Sequence, residues 1–168
     1  MKILSIDPGG TTGWCTFEIG FDRNGAPLWN PTVAEHFCDV GQLTIPEHHN
    51  NLRKLMHVQN PDIIVCERFE KRQNDFSLLI SVEYIGVVKQ FAQQTNKTLV
   101  MQGASEALKW CSMDKMNILE LALTPYQTWK DANAARKHLL YFLVHKLHNV
   151  QISTHILKHL SGRCGTPI

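Results

Sequence analysis

The 168-residue chain has no stretch approaching the roughly 18 uncharged apolar residues of a membrane span, so no membrane association is expected. It has no C-x-x-C pair. Its five cysteines, Cys15, Cys38, Cys66, Cys111 and Cys164, are odd in number, which argues against a disulfide framework and a zinc site and for a reducing compartment. Internal repeats and low-complexity tracts are missing too. Met1 leads straight into an apolar run, so no signal peptide is expected. Nor is there an excess of one charge: the net charge is only +2, which by itself does not announce a nucleic-acid binder. The basic residues are nevertheless clustered, Arg68, Lys71 and Arg72 in one stretch and Arg136 and Lys137 in another. A locally basic face can engage phosphates at small total charge, and a solvated charged surface is the plainer alternative. Among nine histidines, the pairs His36–Cys38 and His48–His49 invite a metal reading, but scattered histidine is more often solvated or satisfied in a core.

What is present begins at the first residues. Ile3, Leu4 and Ile6 are too densely apolar for a strand with one wet face, and the run stops at Asp7, followed by Pro8, Gly9, Gly10 and Gly13. This predicts a central buried strand with a carboxylate at its end and a backbone free to fold tightly or to approach a ligand. An ordinary hairpin turn is the competing reading. A second strand is expected over Cys15–Ile19, an Asn24-Gly25 hairpin turn after it, and a third strand near Val33–Cys38. Residues 46–58 open on Pro46 and carry Leu52, Leu55 and Met56 at helical spacing. Residues 62–66 are a further apolar run, ending in Glu67. A loop over 70–77, a helix over 78–94, a strand over 98–102 and short helices over 105–110 and 115–123 complete the middle of the chain. A long helix over 130–148 has Ala135, Leu139, Phe142, Leu143 and Leu147 as its apolar stripe. The last twenty residues match no pattern. One α/β domain is expected, a mixed sheet covered by helices, with residues 1–148 as its core and 149–168 as a C-terminal extension.

The chemistry follows from where the acids stand. Asp7 and Glu67 each close a buried strand, and neighbouring strands lie about 4.8 Å apart. If the two strands are neighbours their carboxylates converge, and two such anions require a proton or a cation between them. Oxygen ligands without Cys or His favour Mg²⁺ or Mn²⁺. The best third acid is Asp131, in the first turn of the long helix, where its competing role is as a helix cap.

Three motifs now combine: Ile6-Asp7-Pro8-Gly9-x-x-x-Gly13, Val65-Cys66-Glu67-Arg68-Phe69, and Asp131-Ala-Asn-Ala-Ala-Arg-Lys-His138-Leu-Leu-Tyr141-Phe142. In order and spacing, over nearly the whole chain, they resemble the RuvC family of Holliday-junction resolvases, most of all its small phage-encoded members. The resemblance implies a ribonuclease-H-like fold with a mixed five-stranded sheet flanked by helices. It implies a homodimer making paired nicks in four-way and related branched DNA that leave 5′-phosphates, two Mg²⁺ per site with Mn²⁺ as a substitute, and Asp7, Glu67 and Asp131 as metal ligands and catalytic acids. A cytoplasmic location follows, in a bacterial host if the chain is phage-encoded. Lys109 and Lys115 match the family's segment whose two lysines bind DNA or assist cleavage. Arg68, Lys71 and Arg72 follow Glu67 directly, where phosphates must pass, and Phe69 or Phe76 is placed to wedge against an unstacked base. The apolar helix over 78–94 is the expected dimer interface.

One departure stands out. The family carries two metal-binding side chains three residues apart on the last helix, and here the position three after Asp131 is Ala134. Three acids suffice, or His138, seven residues after Asp131 on the same helix face, completes the set. Two other readings remain: a branched-DNA-binding protein that has lost cleavage, and, from Gly9-Gly10-Thr11-Thr12, a sugar-kinase- or actin-like phosphate loop, which requires two domains around a nucleotide.

Overall fold

The computed structural model describes residues 1–44, 48–68 and 78–162, without the side chains of residues 48 and 78. Five strands form the main sheet: β1 (Lys2–Asp7), β2 (Thr11–Glu18), β5 (Val40–Thr44), β6 (Ile63–Arg68) and β7 (Thr98–Gly103). A two-stranded ribbon, β3 (Gly20–Phe21) with β4 (Pro27–Leu28), lies between β2 and β5 in sequence. The helices are α1 (His48–Gln59), α2 (Leu78–Gln94), α3 (Ala104–Trp110), α4 (Met113–Ile118), α5 (Lys130–His145) and α6 (Val150–Gly162). The sheet order is β5-β2-β1-β6-β7, antiparallel on the β5 side of β1 and parallel on the β7 side.

Alternation along the strands separates two cores. Leu4 and Ile6 on β1 and Ile64 and Cys66 on β6 pack on α1 and α2, among Leu52, Met56, Tyr84, Ile85 and Val88. Ile3, Val65, Cys15 and Phe17 face the other way, onto α5 through Ala135, Leu139 and Leu143. With both faces covered, Ile3, Leu4, Ser5 and Ile6 are all inaccessible, which is why β1 reads as a near-continuous apolar run. The period of two then assigns the acids. Asp7 continues the set of Ile3 and Ser5, and Glu67 that of Ile63 and Val65, so both carboxylates leave the sheet on the α5 side.

Several boundaries differ from expectation. β2 begins at Thr11, because the Pro8–Gly10 segment is a tight hairpin and Asp7 pairs with Gly13 across it. The hairpin and the strand-end carboxylate, posed as alternatives, coexist. The strand expected near Val33–Cys38 is a 3-10 turn over Ala34–His36. Val33 and Phe37, four apart, are both buried there, which is helical spacing, and the edge strand is supplied instead by Val40–Thr44. The Asn24-Gly25 turn is present, with Asp22 Oδ1 accepting from the amides of Asn24 and Ala26 at 2.8 Å each and Gly25 at φ 78°. The short helix expected over 115–123 ends at Ile118, where Glu120 takes φ 59° and turns the chain. The long helix stops at His145. Within the unassigned C-terminal stretch, Val150–Gly162 form α6, whose Ile152 and Ile156 are fully buried in the α5-side core. The Pro46 start of α1 lies outside the described residues. No described helix is long and apolar enough to cross a membrane.

Candidate metal and nucleic-acid site

One row of residues crosses the sheet at the carboxyl ends of β1, β6 and β7, and it builds the site. The pairings Gln42↔Gly13, Gly13↔Asp7 and Glu67↔Gln102 are direct, and Ile6↔Cys66 sets Asp7 beside Glu67. Each member of the row holds α5 or its chemistry. Gln42 Nε2 donates to the Thr128 carbonyl at 2.9 Å, and its Oε1 accepts from the Ala132 amide at 3.2 Å, satisfying a donor that the helix start leaves open. Gly13 has no Cβ because none fits: one built there lies 1.9 Å from the Asp131 carbonyl oxygen and 2.6 Å from the Ala132 nitrogen. That approach lays the first turn of α5 against β2 and puts Asp131 next to Asp7's strand. Glu67 Oε2 lies 2.9 Å from His138 Nε2. Gln102 Nε2 donates to the His138 carbonyl at 3.1 Å, tying the middle of α5 to β7.

Asp7, Glu67 and His138 each offer a ligand atom, and these atoms lie within 4.8 Å of one another. Among the described residues this is the His/Cys/Asp/Glu group able to converge on one ion. His138, which the sequence offered as the group completing the set, belongs to it. Asp131 lies outside that tight group, although its charge reaches Asp7. Its helix-cap role is not realised: the cap position is Trp129, and Asp131 stands one residue inside the helix.

Electrostatics favour a cation here. Burial, then the charge and hydrogen bonding of Glu67, then the charge of Asp131, hold the Asp7 carboxyl well above the usual range, with Lys130 opposing. Burial also raises Asp131, again against Lys130. Ionising both carboxyls is therefore disfavoured unless a cation or a proton stands between them. His138 is fully buried, while Glu67 keeps 24% of its side chain accessible, so access to the group runs past the carboxylates. Two carboxylates and one imidazole form a donor set able to hold a divalent cation.

The other predicted residues are dispersed. Arg68 is exposed at the end of β6, immediately beyond Glu67. Lys109 is exposed on α3. Lys115 is half-buried, its Nζ donating to the Trp110 carbonyl at 2.7 Å and lying 4.0 Å from the Trp110 ring centroid. Lys71, Arg72, Phe69 and Phe76 lie outside the described residues. Arg136 and Lys137 do not form a basic face. Both are buried, Arg136 Nη1 donating to the Leu121 carbonyl and Lys137 Nζ lying 6.0 Å from the Tyr126 ring. His36 is likewise a core histidine, its Nδ1 2.8 Å from the Glu18 carbonyl and its Nε2 accepting from the Asn30 amide at 2.9 Å. Gln42 and Gln102, which hold α5 over the acids, carried no signal in the sequence. Their partners are 86 to 90 and 36 residues away.

No protein-family model matches the chain, and no curated protein sequence does. Solved structures do. Thermus thermophilus RuvC in complex with Holliday junction substrate aligns with a TM-score of 0.55 at 15% identity, covering 84% of this chain and 94% of that one. A second structure of Thermus thermophilus RuvC gives 0.53 at 17% identity, covering 84% and 95%. The fowlpox virus Holliday junction resolvase gives 0.56 at 12% identity, covering 84% and 97%. The chain therefore has the ribonuclease-H-like fold, a mixed five-stranded sheet flanked by helices. The solved proteins it resembles in that fold are bacterial and poxvirus junction resolvases.

Proposed function

We propose that the chain is a metal-dependent, structure-selective endodeoxyribonuclease that resolves four-way and related branched DNA by paired nicks leaving 5′-phosphates. The observation that carries this is the convergence of Asp7, Glu67 and His138, with Asp131 alongside, at the carboxyl edge of this particular sheet. The three motifs arrive there in the order the resolvase resemblance requires, and structures of the same fold have Holliday junctions as their substrates.

The donor set fits divalent cations. Asp7, Glu67 and His138 would hold one, and Asp131 would join Asp7 in holding a second. The chemistry supplied by bound cations is generation of hydroxide from water and neutralisation of charge on the leaving 3′ oxygen. The chain's own residues do the rest. Asp7, whose proton is held by burial and by Glu67, would lose it where a cation is bound. Gln102 holds the His138 backbone, and a cation on the imidazole Nε2 would take the place of that nitrogen's contact with Glu67. Gln42 and Gly13 fix Asp131. Arg68 and Lys109, exposed beside this edge, bind phosphate, and Lys71 and Arg72 extend the same basic segment. Two copies of the site, brought together by a two-fold dimer, would match the two-fold symmetry of a four-way junction.

The test is cleavage of a labelled synthetic four-way junction beside linear duplex of the same sequence, with Mg²⁺ or Mn²⁺ and with the Asp7→Asn variant. Paired, metal-dependent nicks confined to the junction and abolished in the variant are expected. Tight junction binding without nicks would instead assign the chain to binding alone, with Ala134 marking the lost ligand. No junction preference would overturn the proposal.

A further inference from the structure

A second feature of the same sheet edge is unused by the metal site. α3 starts at Ala104, directly after β7, and so lies at the carboxyl end of the parallel strands where Asp7 and Glu67 stand. Between α3 and the last turns of α5 is an open groove of about 540 Å³, lined by Ser105, Glu106, Lys109, Trp110, Tyr141 and His145. We propose that this groove takes one unstacked nucleobase of the DNA strand running past the acids. The base would lie against the aromatic wall with its phosphate on the surrounding lysines.

The wall is aromatic and preset. The Trp110 and His145 rings meet edge to face at 4.7 Å, Tyr141 and His145 lie 4.8 Å apart, and Trp110 and Tyr141 6.1 Å apart. The indole is fixed by Lys115, whose ammonium covers one face at 4.0 Å while donating to the Trp110 carbonyl. Lys146 lies 5.8 Å from the Tyr141 ring centroid. Lys109, Lys115 and Lys146 thus stand around the groove against one acid, Glu106, which is 3.4 Å from Lys146 in a solvent-exposed pair. An exposed pair of that kind is weak, so an incoming phosphate exchanges with Glu106 at little cost. Aromatic faces bounded by ammonium groups are the chemistry that binds single-stranded nucleic acid without regard to sequence, because every base has a π-face.

Position supports the same occupant. Tyr141 and His145 follow His138 by three and seven residues, successive turns of one helix face. His145 is therefore about 10 Å along the axis from the metal group, roughly three nucleotides of stacked strand and fewer of an extended one. A strand opened at a branch point and cut at the acids would reach the groove within that length. The direction of the strand rests on the proposed nuclease function; the aromatic and cationic character of the groove does not.

The test is fluorescence anisotropy of end-labelled dT12 in EDTA, with an abasic strand of equal length and charge as the second probe. Wild-type protein is expected to bind dT12 more tightly than the abasic strand. Tyr141→Ala should weaken dT12 binding roughly tenfold while leaving the abasic strand unchanged, and Tyr141→Phe should restore it. His145→Ala, at an exposed position, gives the same reading should Tyr141→Ala lose thermal stability. Equal affinity for the two probes, or no binding of dT12 by wild-type protein, overturns the inference. So does dT12 binding unchanged in Tyr141→Ala and His145→Ala. Junction cleavage is scored separately: base-dependent binding without cleavage sinks the nuclease proposal alone, and cleavage without base-dependent binding sinks the groove alone.

Discussion

Asp7 is the residue on which the rest of the site bears. Its carboxyl is half-buried and poorly solvated, has Glu67 abreast and feels Asp131, so its proton is held well above the usual carboxylate range. An acid whose folded pKa is raised binds more protons in the native than in the unfolded state between the two values. The native state therefore loses stability as pH rises through that window, and the loss is constant above it. Asp7→Asn removes this burden. In metal-free buffer the variant should melt higher than wild type, by a margin that grows with pH through the raised window and then levels off. Divalent cation should reverse the order. At a hundredfold excess over its dissociation constant it contributes about 2.7 kcal/mol to wild type, a rise of about 5–10 °C for a chain of this size, and much less to the variant. Calorimetry over pH 4–8, with and without Mn²⁺, measures both. A wild-type melting temperature indifferent to divalent cation would remove the metal site. In the cleavage assay, loss of several kcal/mol of transition-state stabilisation corresponds to a fall of roughly 10³-fold.

At the scale of elements, α5 is placed by the sheet rather than by its own cap, since Trp129 contributes no side-chain capping bond. Two contacts set its start. Gly13→Ala drives a Cβ into the Asp131 backbone, where no flexible side-chain end can yield, so the helix start must lift. The expected cost is about 1–3 kcal/mol or more, as for overpacking. Gln42→Ala leaves the sheet intact and frees the Thr128 carbonyl and Ala132 amide. It should lose only about 1 kcal/mol, as for a helix cap. Both should raise the Mn²⁺ concentration needed for half-maximal thermal stabilisation, on the order of tenfold for Gln42→Ala, as for residues that orient metal ligands. Metal titration followed by melting temperature reads this directly, and unchanged titration midpoints would show that Asp131 takes no part in binding. Much of the element order was legible, because buried strands and the α5 stripe write their periods into the sequence. The turn at Ala34–His36 was not, since a run of six residues with buried Val33 and Phe37 fits either period until β5 is seen to occupy the sheet edge. α6 was missed because Ile152 and Ile156, four apart, are its only fully buried apolar residues in a segment otherwise marked by polar residues and histidine.

For the whole molecule, the proposed homodimer needs a surface. α2 carries Leu79 at 62% and Val82 at 45% exposure, with Gly86 one turn further on the same side. A helix whose outward face is apolar at i, i+3 and i+7 matches a self-complementary contact across a two-fold axis. Leu79→Glu with Val82→Lys should therefore leave the fold unchanged by circular dichroism and halve the mass seen by light scattering. A wild-type protein that is monomeric at all concentrations tested would place pairing, if any, on the DNA. The small net charge is compatible with the proposed DNA contacts, which would rest on local cations: Arg68 at the strand end and the three lysines around the α3–α5 groove.

The sequence by itself placed Asp7 and Glu67 at the ends of apolar runs, and so at the carboxyl ends of buried strands, because such runs stop at the first acid. It also placed Asp131 and His138 on one helix face, since their spacing of seven is two helical turns. Only the tertiary structure decided which groups meet. The pairing of β1 with β6 brings the two acids abreast, and Gly13 and Gln42 set the approach of α5. That geometry puts the imidazole of His138, rather than Asp131, against Glu67. It also buries Arg136 and Lys137, which look like surface charge in the sequence. Strand pairing and helix docking join residues 36 to 90 positions apart, and local periodicity carries no information over that range.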